Sequence, residues 1–253
     1  MTLKTNSIIH NKYLYYFLGI VLIFIIWLVG SILVNNDYVV PTISQTFTAL
    51  IDLFKSGYTY IVLANTLFRL IVSLIICLVL AIILATFASL SIKFKYFITP
   101  LITLLKSLPI AVIIILILVM LKSELAVYYI SGVVIFPILY EATLNGYDNV
   151  SKDITDEIKL LSNPNIRIYK DVFFPIATRH IITGLIQSIG LGLKVLVMAE
   201  FISQPSYSIG NEIKFYKETA ASMDYVYAWS LILIFFVLVT EILVGKMKKI
   251  INK

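Results

Sequence analysis

Thiol and imidazole chemistry is nearly absent from this chain: 253 residues hold one cysteine and two histidines. Cys77 sits inside an apolar run, and His10 and His180 lie far apart, so neither a disulfide framework nor a Cys/His metal cluster can be assembled. Charge is equally scarce. Charged residues make up 13% and apolar ones 60%, whereas soluble domains carry about a quarter charged. That balance excludes a water-soluble globular protein. No G-x-x-x-x-G-K-[ST] run occurs, so the chain has no phosphate-binding loop of its own, and the dispersed Glu141, Glu200 and Glu241 form no evident catalytic cluster.

What the chain does have is long hydrophobic runs, each near the roughly 20 residues that cross a bilayer. Lys4 and Lys12 precede an apolar run from Leu14 to Val34. It is too long for a signal-peptide core, and no small-residue cleavage site follows at Val34-Asn35-Asn36-Asp37, so it reads as a first membrane helix. Five more are expected at about Val62 to Ser89, Tyr96 to Leu121, Leu125 to Tyr147, His180 to Ser203 and Tyr225 to Val244. Six spans place both termini on one side. With the N-terminus inside, the inner segments hold thirteen of the twenty Lys and Arg residues and the outer ones four, which favours cytoplasmic termini. The net charge of +6 then needs no nucleic acid, because an anionic inner leaflet accounts for it.

The expectation is an all-α membrane protein forming one transmembrane domain over residues 1–253. Residues 1–61 hold the first helix and an outer amphipathic helix, 62–245 the core helices, and 246–253 a basic tail. The amphipathic helix follows Pro41, with Ile43, Phe47, Leu50, Ile51 and Phe54 at helical spacing and Gly57 as its stop. The long polar insertion is the loop 148–177. Within it Ile154, Ile158 and Leu161 share one helical face, Asn163-Pro164 ends the helix, and a second short pattern from Ile166 to Phe173 leads into Phe174-Pro175. A helix, a turn and a second helix on the ATP-bearing side ask for a partner.

Polar residues inside spans face a partner or a water-filled path. Gln187 and Lys194, seven residues apart, share one face of the fifth helix. Lys194 either borders a path for an anionic or carboxylate-bearing solute or pairs with an acid such as Glu141 or Glu241. Lys106 is expected to snorkel to the cytoplasm. Pro109 and Pro137 can kink their helices. Gly184, Ser188 and Gly192 repeat every four residues, a face for close packing within the subunit or between subunits.

At this point the chain resembles a known family, the permease subunits of bacterial ATP-binding cassette importers, in the branch for nitrate, sulfonate, taurine and thiamine-precursor uptake. The family's loop motif is Glu-Ala-Ala, three residues, Gly, nine residues, Ile, any residue, Leu-Pro. The same spacing here gives Asp156-Glu157-Ile158, Ser162, Val172 and Phe174-Pro175, with only the proline identical. Further marks stand in order: Val40-Pro41-Thr42, Lys55-Ser56-Gly57, Asn65-Thr66-Leu67-Phe68-Arg69, Leu105-Lys106-Ser107-Leu108-Pro109, Phe136-Pro137-Ile138-Leu139, Ala199-Glu200 and Ser208-Ile209-Gly210. The likeness covers about residues 38 to 245.

The resemblance implies a type I importer permease fold in a bacterial cytoplasmic membrane and a non-catalytic transport subunit. It implies that loop residues Asp156, Glu157, Ile158, Ser162, Pro164 and Pro175 couple to a cytoplasmic ATPase dimer. ATP and magnesium would be bound by that partner, and no cofactor by this chain. A second permease copy, most simply in a homodimer, would complete the path, and an extracytoplasmic substrate-binding protein or lipoprotein would deliver a small solute. The path candidates are Gln187, Lys194 and Glu200. The rival reading is a secondary transporter that needs no ATPase; such proteins are often built from internal repeats, and no convincing repeat relates the halves of this chain.

Overall fold

The computed structural model describes residues 5–161 and 166–251, and all regular structure among them is helical. The chain divides into two compact units, Met1–Gly57 with Ile213–Leu231, and Tyr58–Glu212 with Ile232–Lys253.

In the first unit, α1 (Thr5–Val34) is apolar on every side and largely exposed from Leu14 onward, as a lipid-facing helix should be. Trp27 anchors its end: its indole Nε1 donates to Pro41 O at 3.0 Å, and its ring lies 5.6 Å from that of Tyr227. The amphipathic helix α2 (Ile43–Lys55) starts at a capping box in which Thr42 Oγ1 accepts from Gln45 N at 3.3 Å and Thr42 N donates back to Gln45 Oε1 at 2.8 Å. It buries Thr46, Ala49 and Leu53 and leaves Phe47, Ile51 and Phe54 exposed, an apolar edge suited to a membrane interface. Ser56, in extended conformation, ends α2, and Gly57, read as the stop, is instead the first residue of α3 (Gly57–Leu90).

Five stretches of the described residues are long and apolar enough to cross a membrane, and a sixth if one bent pair counts as a single span. That pair occupies the span expected from Tyr96 to Leu121, where Pro109 was expected to be able to kink the helix. α4 (Ile92–Ser107) and α5 (Ile110–Met120) are bent by 103°. The cause is local. A residue before proline is pushed out of the helical region, and Leu108 sits at φ −69, ψ 131 ahead of Pro109, which also has no N–H to give. Pro100 and Pro137 interrupt nothing: α4 and α6 (Ser123–Asp148) each run through their proline.

After α7 (Lys152–Leu161), the second loop helix does not stand apart. The single turn α8 (Ile166–Ile168), a π-turn over Tyr169–Phe173 and α9 (Phe174–Ser203) form one continuous stretch, Ile166–Ser203, so the fifth span begins well before His180. Phe174 N–H reaches back five residues to Tyr169 O, and this wider turn takes up the proline that follows it. Two further helices close the chain, α10 (Ile209–Glu218) and α11 (Met223–Ile251).

The packing centre of the second unit is the seam between α6 and α9. Small residues permit it: a Cβ added at Gly184 would collide with the Ala142 side chain, and one at Gly192 would lie 2.9 Å from Ile135 Cδ1. Ser188 between them is fully buried. The Gly184, Ser188 and Gly192 face therefore packs within the subunit.

Candidate functional site

Beside that seam, about a quarter of the way around the helix, α9 is open. Exposed positions recur along one face at His180, Gln187, Leu191, Lys194 and Met198, where steps of three, four and seven residues return to the same side of a helix. Gln187 and Lys194 thus both lie on the open side of a membrane-crossing helix. Among the described residues Lys194 makes no ion pair, and Glu141, one of its two expected partners, is engaged elsewhere; the side chain of Glu241 lies outside the described residues.

Glu200 does not share that face, which corrects its reading as a wall of the path. It is fully buried, and Arg69 Nη1 donates to its Oε1 at 3.3 Å. Thr66 Oγ1 donates to Glu200 Oε1 and Oε2 at 3.0 and 3.1 Å, and Gly210 N donates to Oε2 at 3.2 Å. The same threonine oxygen accepts Ile209 N at 3.1 Å. The other guanidinium nitrogen, Nη2, donates to Ser206 O at 2.8 Å and to Glu124 Oε2 at 3.1 Å, while Glu124 Oε1 accepts Ser206 N at 2.6 Å. Three short sequence marks, Asn65 to Arg69, Ala199-Glu200 and Ser208 to Gly210, are therefore one knot joining α3, α6, α9 and the start of α10. A buried carboxylate with this many donors is a structural tie. Periodicity could not pair these marks, because it carries no information about residues 131 positions apart.

Two further ion pairs were missed. Lys95 Nζ donates to Asp148 Oδ2 at 2.8 Å, and Lys106 Nζ donates to both Glu141 oxygens at 2.8 Å. Lys106 accordingly pairs across to α6 rather than snorkelling.

In the loop, α7 carries Ile154 and Ile158 half-buried, while Asp153, Asp156, Glu157 and Leu160 are exposed on the opposite face. Leu160 is 88% exposed. Ser162 and Pro164 lie outside the described residues, and Pro175 is exposed at the start of α9. Beneath the loop, Tyr169 and Phe173 stack at 4.3 Å, Tyr147 of α6 meets Tyr169 edge-on at 5.4 Å, and the Tyr169 hydroxyl is 2.7 Å from Ser89 Oγ of α3. The segment leading out of the loop is thereby fixed to two membrane helices.

Apolar helices around a small-residue seam, one span broken at a proline and polar groups on open helix faces define a multi-pass membrane protein. Residues 77–249 match the model of the binding-protein-dependent transport system inner membrane component, and the chain belongs to that family. No match is found among curated proteins. The protein is thus a non-catalytic permease component of a binding-protein-dependent transporter, resident in the inner membrane.

Proposed function

We propose that the chain is the path-forming subunit of an ATP-binding cassette importer. Two copies enclose the path, with both termini and the loop 148–177 in the cytoplasm and an extracytoplasmic binding protein delivering the solute. The observation that carries this reading is the family match over residues 77–249, which includes the whole of α7 and α9. The solute is small and hydrophilic, of the sulfonate, nitrate, taurine or thiamine-precursor kind, and an acidic group on it would be met by Lys194.

Coupling runs through α7. Its exposed face presents three carboxylates and Leu160, the complement of a basic groove with an apolar pocket in a partner ATPase, which binds ATP and magnesium. A push on α7 passes through the stacked Tyr169 and Phe173 to α6 and α3, because packed aromatic rings transmit displacement rather than absorb it.

The test is to purify the tagged chain from native membranes in mild detergent and identify what remains bound in stoichiometric amount. An ATP-binding subunit at 1:1 supports the proposal, and a chain that transports alone overturns it. Leu160→Asp and Glu157→Lys should then leave the membrane fold intact while releasing that subunit or uncoupling its ATP hydrolysis from transport.

A further inference from the structure

We infer that the translocation path is lined by α4 and α6 as well as α9, with the Lys106–Glu141 ion pair as its charged wall. The inference rests on the permease reading above and goes beyond it in assigning path-lining residues on α4 and α6, outside the α9 face. It begins with the two sides of α4. At 100° per residue, Phe97, Leu101 and Leu104 fall on one side, all exposed and apolar. Lys95, Thr99, Thr103 and Lys106 fall on the opposite side, and the last three are exposed. A helix in lipid has no reason to separate its exposed residues in this way unless one side meets lipid and the other meets water.

The neighbouring edge of α6 is polar in the same register. Glu141, Asn145 and Asp148 repeat at helical spacing, and the first and last of them are paired to Lys106 and Lys95 of α4. The Lys106 and Glu141 side chains remain 50% and 43% exposed, so the pair is not a buried structural tie like that of Arg69 and Glu200. Glu141 lies seven residues, or about 10 Å, in from the end of α6. At that depth a half-open ion pair facing hydrocarbon is expensive, whereas one facing a water-filled cavity is stable.

The α9 face continues this surface. Ala142, next to Glu141, touches Gly184, which places Gln187 within about one helical turn of the pair's level. On the other flank, an apolar recess of about 510 Å³ takes Leu105 together with Leu80 and Phe136, so the residue beside Lys106 turns toward apolar surroundings. A passing solute with an acidic group can take the place of Glu141 on Lys106, and the displaced carboxylate, already 43% exposed, is then left to the water of the path. An apolar solute offers no such exchange.

The test uses the full chain in native membranes with Cys77, the single native cysteine, replaced by serine. Cysteines placed at Lys106 and Glu141 are exposed to membrane-impermeant methanethiosulfonates bearing either an ammonium or a sulfonate. Each site should react, with opposite charge preference: Glu141→Cys leaves the Lys106 cation and favours the sulfonate by about tenfold, and Lys106→Cys favours the ammonium. Thr103→Cys and Asn145→Cys probe the same faces with the pair intact, should either pair variant fail to assemble. Val79→Cys, on an exposed apolar side of α3, is the unreactive control. If Gln187→Cys and Lys194→Cys react while the α4 and α6 positions stay as silent as Val79→Cys, the wall assignment is overturned and the permease reading stands. If all stay silent, the path reading of α9 falls with it.

Discussion

Arg69 and Glu200, separated by 131 positions, meet at 3.3 Å with both side chains withdrawn from solvent. Removing one partner of such a pair strands a charge, and Arg69→Met is expected to lower stability by about 3–5 kcal/mol. The double variant Arg69→Met, Glu200→Gln should recover much of that loss, because no charge is left unpaired. Glu124→Ala removes a half-exposed carboxylate and should cost about 1 kcal/mol or less. Thermal unfolding in detergent, followed by tryptophan fluorescence, measures all three. Equal losses for the single and double variants would mean that the guanidinium matters for its backbone bonds to Ser206 and Tyr207 instead.

Gly210 and Gly190 make opposite demands. A Cβ at Gly210 would sit 2.5 Å from both Glu200 Cβ and Val197 O, and backbone cannot yield as a flexible side chain can. Gly210→Ala should therefore destabilise by about 1–3 kcal/mol and loosen the knot around Glu200. Nothing lies within 4 Å of a Cβ at Gly190, in the interior of α9. Gly190→Ala should stabilise by about 0.5–1 kcal/mol, since alanine has less backbone freedom to lose. Unfolding midpoints that moved in the same direction would contradict this account.

Glu212 makes the start of α10 pH-dependent. Burial pushes its carboxyl above the ordinary carboxylate range, and the Tyr58 hydroxyl, donating to Oε1 at 2.7 Å, draws it part of the way back. The folded chain holds this proton more tightly than the unfolded chain does. The stability it contributes is greatest below the ordinary value of about 4.3, declines as pH rises through the raised value, and is level above it. Hydrogen exchange at α10 amides, corrected for intrinsic rate, should show less protection at neutral pH than in mild acid. Glu212→Gln should flatten that slope. Tyr58→Phe withdraws the bond that favours the charged form and should extend the window upward.

The sequence was most readable where one face of one helix carried the signal. Hydropathy placed the runs that became α1, α3, α6, α9 and α11, and spacing placed α2 and the apolar side of α7. It failed at joints, where the decision lies in one or two residues. Pro109 breaks a helix that Pro137 leaves whole: the residue before Pro109 is extended, whereas the stretch of α6 around Pro137, from Ile135 to Gly146, is packed against α9. The pairing of Lys106 with Glu141 was hidden for a different reason: each charge taken alone looks like a snorkelling or solvated group, and only the antiparallel run of α4 beside α6 brings them together. Gln187 and Lys194 were legible as sharing one face, while Glu200 was grouped with them only because it stands on the same helix.

The bend itself can be tested. An interior proline costs a helix about 3 kcal/mol, so Pro109→Ala should favour a straight α4–α5 helix by about that amount. What opposes straightening is the burial of Ile113 and Ile114 on α5. Within a bilayer that opposition is weak, because an apolar side chain leaving protein for lipid tails gives up little beyond packing contacts. Spin labels at Phe97 and Val119, both exposed, report the outcome. At 1.5 Å per residue their backbones are about 20 Å apart across the bend and about 33 Å apart in a continuous helix. Pulsed electron–electron distance measurements on Pro109→Ala should therefore show a longer component that the unsubstituted chain lacks. A distribution unchanged by the substitution would assign the bend to the seating of Ile113 and Ile114, and α5 would then be a fixed wall instead of an arm released at Leu108.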